Sequence, residues 1–99
     1  MALLLGLFTQ TGVAQLQGRA ERKVVSKISP SYPEIAKRNR ITGAVKLEVV
    51  VRRNGTVQST KVLGGSPVLI GSAIDAVRKW IFESAPEETT EVVQVAFGN

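Results

Sequence analysis

Few side chains in this sequence could do chemistry. Its 99 residues include no cysteine and no histidine, which removes thiol nucleophiles, imidazole acid–base catalysis, disulfide frameworks and the usual zinc ligands. The carboxylates are poorly arranged for a catalytic pair. Asp75 is the sole aspartate, and Glu83, Glu87, Glu88 and Glu91 crowd into one stretch near the C-terminus instead of converging from separate elements. Ser66 is accounted for as a helix cap ahead of Pro67. No enzymatic activity, metal or cofactor is therefore expected. Main-chain hydrogen bonding and positive charge remain. Thirteen Lys and Arg against eight Asp and Glu leave a formal net charge of +5, and seven of the thirteen fall between Arg19 and Arg40. Such an excess suits nucleic acid, anionic lipid or an acidic protein. No base-stacking signature accompanies the charge, so nucleic acid is not the expected partner, although a small basic RNA-binding α+β domain stands as a rival reading.

The elements that must position these groups are legible in the pattern. The stretch PSYPEIAKRN sets Pro30 and Pro33 around the only tyrosine, Tyr32. Proline fixes its own φ, holds the preceding residue out of helix and is tolerated at a helix start. Ser31 and Tyr32 should thus be extended and a short helix should cover 34–40, with Ile35 and Ala36 inward and Lys37, Arg38 and Arg40 outward. A helix so short must be held by packing, and Tyr32 is placed to supply it. From Ala44, the residues Val45, Leu47, Val49 and Val51 alternate with Lys46, Glu48, Val50 and Arg52, the period of a half-buried strand. Asn54-Gly55 then predicts a type I′ hairpin turn, and a second strand over 56–63. Val57 and Val62 have opposite parity, which calls for a bulge near Ser59 or a change of face.

Gly64-Gly65-Ser66-Pro67 ends the sheet and opens a helix, along which Leu69, Ala73, Ala76, Val77 and Trp80 form one apolar stripe. Pro86 blocks its continuation. After an acidic linker over 87–91, a last strand alternates Val93, Val95 and Phe97 with Val92, Gln94 and Ala96. A further short strand over 24–28 is the weakest element. The sum is an α+β layer: a three-stranded antiparallel sheet with two helices on one face.

Residues 1–23 read differently. An apolar run over 2–8 is followed by a small, polar stretch in which Gly12-Val13-Ala14 precedes Gln15 like a cleavage site. The segment is expected to be a signal peptide or a disordered terminus, and the folded domain to span 24–99. No stretch reaches the roughly 18 to 20 apolar residues of a membrane span, so no membrane anchor is expected in this chain.

The ordered set Pro30, Tyr32, Pro33, Ala36, then Ile41, Gly43 and Val45, then Asn54, Gly55 and Val57, then Val62 and Leu63, then Leu69, Ala73, Ile74, Ala76, Val77, Trp80 and Phe82 resembles the C-terminal domain of TonB, with the related TolA-like architecture. The likeness covers about 28–97. It implies a periplasmic energy-transducing module that binds the N-terminal box of an outer-membrane receptor by strand addition, in uptake of siderophore- or vitamin-type ligands. By that resemblance, the receiving edge is Val92, Val93, Gln94, Val95, Ala96 and Phe97. Ser29 and Ser31 become secondary contacts, and Lys37, Arg38 and Arg40 would meet an acidic receptor plug or phosphate-bearing envelope components. An inner-membrane motor would act through another chain, and a strand-swapped homodimer is a further state the resemblance allows. A soluble envelope-binding or regulatory module without force transduction is the alternative reading. The sequence departs from the family at Ile70, where an acidic residue is common, and the membrane helix and proline-rich spacer usual in the family are not expected within these residues.

Overall fold

The computed structural model describes residues 22–98; the leader expectation for 1–23 lies outside the described residues except at Arg22 and Lys23. In chain order the elements are β1 (Val24–Ser26), α1 (Glu34–Arg38), β2 (Gly43–Val51), β3 (Val57–Gly64), α2 (Pro67–Val77), β4 (Ile81–Phe82) and β5 (Thr89–Phe97). The main sheet has the order β3-β2-β5, both pairs antiparallel. This is the α+β layer expected, with two helices and a separate two-stranded pair, β1-β4.

The alternation in β2 does what period two requires. Val45, Leu47, Val49 and Val51 are all fully buried, and they meet Leu69, Ala73 and Val77 of α2 together with Val95 and Phe97 of β5 in one core. Burying each large apolar side chain there contributes about 1.5 to 3 kcal/mol. The opposite face of the sheet is open. Ala44 and Lys46 on it are exposed, as are Val92, Gln94 and Ala96 of β5.

Several expectations are corrected. α1 stops at Arg38 rather than residue 40, because Arg40 takes a left-handed φ of 54°. The backbone N–H of Ile41 then reaches Ala36 O at 2.8 Å, and that of Arg40 reaches Lys37 O at 3.2 Å. These two bonds satisfy the last carbonyls as a helix-terminating Schellman motif does. In a helix of one turn and a half only one narrow face meets the core. Ala36 occupies it, and Ile35 is turned out, 55% exposed.

The hairpin is not type I′. Arg52 N–H donates to Thr56 O, Gly55 N–H donates to Arg52 O, and Gly55, not Asn54, has the positive φ. The loop thus has three residues and ends on a left-handed glycine, the next most common hairpin solution. Asn54 Oδ1 instead accepts from the Thr56 N–H at 3.0 Å and from its hydroxyl at 2.7 Å. A Cβ on Gly55 would lie 2.0 Å from Phe82 O, so close approach as well as φ demands glycine. The expected bulge is present: Val50 faces Ser59 while Val51 faces Val57, which leaves Gln58 extra.

Three features were not foreseen. β4 pairs with β1, Val24 facing Phe82. α2 ends at Val77, and Trp80 sits beyond it on a tightened turn in which its N–H bonds to Val77 O at 3.0 Å. β5 begins at Thr89, inside the stretch expected to be linker, and Glu91 is buried at 6% exposure.

Candidate partner-docking edge

β5 is a regular nine-residue strand. Its pairing with β2 runs from Gly43↔Phe97 to Val51↔Thr89 without a register shift. Among the described residues no strand pairs with its other side, so one row of backbone donors and acceptors faces outward. Val95 and Phe97 fix the strand by pointing into the core, Val93 is half-buried on the same face, and Val92, Gln94 and Ala96 alternate to the exposed face.

Beside this edge runs the extended segment leading to α1. Trp80, 3% exposed, ties the segment down: its indole N–H donates to Ile28 O at 2.9 Å, and Lys27 Nζ sits 5.2 Å from the ring centroid, within cation–π range. Between segment and strand lies a groove of about 190 Å³. Lys27, Ile28, Ser29 and Pro30 form one wall, Gln94, Val95 and Ala96 the other, and Trp80 lies between them. Tyr32 follows further along the same segment. Its hydroxyl donates to Ile41 O, and its ring stands edge-on to Phe97 with centroids 5.8 Å apart, a favoured aromatic geometry. The two prolines therefore give the chain a stiff approach, and Tyr32 pins that approach to the last residue of β5.

The other residues singled out in the sequence distribute as follows. Ser29 lines the groove, whereas Ser31 lies in a smaller pocket against Ser72, Asp75 and Lys79 of the α2 region. Lys37, Arg38 and Arg40 are exposed but line neither cavity; Lys37 approaches Glu34 at 3.9 Å, an exposed pair of small energetic weight. Ala36, Leu69 and Ala73 are core, and Gly43 has φ 128° at the start of β2. Among the described residues no three His, Cys, Asp or Glu side chains group as metal ligands.

Two functional-looking residues were missed. Arg22 is buried, and its backbone N–H donates to the buried Glu91 carboxylate at 3.3 Å. The parity of Glu91 with Val93, Val95 and Phe97 was a usable signal, because it places Glu91 on the inward face. Arg22 had none, since its partners are distant backbone carbonyls.

The family described as Gram-negative bacterial TonB protein C-terminal matches residues 28–98. The chain belongs to the TonB C-terminal family. Its fold agrees with the solution NMR structure of the Pseudomonas aeruginosa TonB C-terminal domain at a TM-score of 0.63 and 22% identity, over 81% of this chain and 88% of that one. A comparison with curated proteins gives no match. The span of the TonB match takes in the segment at 28–30, both helices and the whole of β5. No described helix is long and apolar enough to cross a membrane.

Proposed function

We propose that this TonB C-terminal domain is a periplasmic, non-enzymatic interaction module that accepts the N-terminal box of an outer-membrane transporter as an added strand on β5. It serves energy-coupled import of siderophore- or vitamin-type ligands. The supporting observation is the uninterrupted β5 edge lying open beside the groove that Trp80 floors. A docked strand takes its affinity from main-chain bonds to β5 and its selectivity from alternate side chains entering the groove. Ser29 is positioned for a secondary contact, while Lys37, Arg38 and Arg40 are available to a more distant acidic surface of the same partner. An inner-membrane motor would reach the domain through another chain.

Because Trp80 is the only tryptophan, its emission reports directly on the groove. Titration with a receptor-box peptide should change that emission saturably, and no change up to millimolar peptide would remove the docking reading. The absence of cysteine gives a positional test. A cysteine-bearing peptide should form a disulfide with the Gln94→Cys variant and not with Ser59→Cys on β3. Crosslinking to both alike would show nonspecific contact, and salt-sensitive binding of RNA in place of peptide would favour the basic RNA-binding alternative.

A further inference from the structure

Arg22 makes more contacts with distant backbone than any other charged side chain described here. Nη1 donates to Arg52 O at 2.7 Å and to Glu83 O at 3.0 Å. Nη2 donates to Glu87 O and, more weakly at 3.5 Å, to Val51 O. With its backbone N–H on Glu91, this one residue grips the end of β2, the β4–β5 connection and the start of β5. Only a guanidinium can do this, since its rigid fork of five donors reaches several acceptors at once. Burying that charge is costly, and its Nε has no partner. An apolar side chain would fill the same space without the desolvation cost. What the guanidinium adds is a simultaneous tie to three segments.

We infer that Arg22 is a positioning residue that carries tension from the upstream chain directly into the strand pair β2-β5, bypassing β1 and α2. The inference rests on the docking reading for its purpose: a load applied to the chain before residue 22 would reach a partner held on β5 through such a tie. The next hold beyond Arg22 is slight. β1 has three residues and two register pairs with β4, supported by Lys23 N–H on Glu83 Oε1 at 3.0 Å and Glu83 N–H on Lys23 O at 2.9 Å. With Arg22 in place, several charge-assisted bonds to different segments must break together before β1 is loaded. Without it, the β1 bonds are loaded from the outset.

Constant-force spectroscopy on the full chain tests this without any peptide. One handle is placed at Gln94→Cys and the other either upstream, at Gln17→Cys, or beyond the grip, at Asn39→Cys. Arg22→Ala should accelerate extension in the 17–94 geometry by about tenfold or more and leave the 39–94 geometry within about twofold. Equal acceleration in both geometries would reduce Arg22 to an ordinary stabilising residue, and no acceleration in either would overturn the inference outright. Should Arg22→Ala fail to fold, Arg22→Lys keeps the charge and stem but loses the fork, and the same asymmetry is expected of it. Peptide titration of the wild type, read by Trp80 emission, is separate: failure there removes the docking reading while the pulling result stands on its own.

Discussion

Among the described residues the sheet has two open edges, and they are built differently. β5 pairs with β2 through nine consecutive residues in unbroken register. β3 pairs with the other side of β2 through two register shifts, one at Lys46/Leu47 and one at Val50/Val51. Bulges add local twist and turn an edge away from a flat incoming strand, and an exposed lysine such as Lys61 adds to the effect. β3 is therefore protected against pairing although Val62 and Leu63 lie exposed on it, while β5 keeps a straight edge next to a groove. Openness alone does not mark a docking strand; regularity and a shaped flank do.

The largest effect that could break this comparison lies at Trp80, which supports the β5 side and has no counterpart beside β3. It is nearly fully buried, packs within 6.3 Å of the Phe82 ring centroid and bonds to Ile28 O. Trp80→Ala should cost about 3 to 5 kcal/mol in urea melts, as large aromatic truncations do. A loss under about 1 kcal/mol would show that the groove floor is not part of the core.

Next in size is a pair of glycines at opposite ends of β3. Gly55 combines φ 93° with a Cβ position 2.0 Å from Phe82 O, and Phe82 N–H bonds to Gly55 O at 2.8 Å. Gly55→Ala should destabilise by about 2 to 3 kcal/mol, from backbone strain and overpacking together. Gly64 at the other end has no neighbour within 4 Å of its would-be Cβ, and Gly64→Ala should stay within about 0.5 kcal/mol. Equal losses in denaturant melts would mean that the β3 end is packed more tightly than its open surroundings indicate.

The elements that sequence made legible are those whose signal is local. The alternation of Val45, Leu47, Val49 and Val51 forces a half-buried strand, and the opposed parity of Val57 and Val62 forces an irregularity in the next one. The stripe from Leu69 to Val77 likewise dictates a helix. What escaped depends on partners far away in the chain. Ile81 and Phe82 continue an apolar helical pattern and become a strand because Ser26 and Val24 of β1 pair with them. Arg22 binds carbonyls between 29 and 65 residues distant, which no periodicity encodes. The docking edge has the same limit, for an alternating strand does not reveal which neighbours it has. Only the family resemblance pointed to β5, and the sheet order shows that this strand lies at a border.

The smallest expected effect separates the two edges most sharply. Across β2, Glu48 faces Lys61 on β3, and Lys46 faces Gln94 on β5. Lys61→Glu and Gln94→Lys each set like charges directly opposite one another, which should cost about 0.2 to 1 kcal/mol apiece and diminish as salt is raised. Their effects on stability should thus be alike. Their effects on docking should not be. Gln94 lines the groove, so Gln94→Lys should shift the midpoint of the peptide titration severalfold, whereas Lys61→Glu, two strands away on the bulged border, should leave it unchanged. If both variants moved the titration equally, the partner would be sensing the net charge of the domain and not the local chemistry of β5.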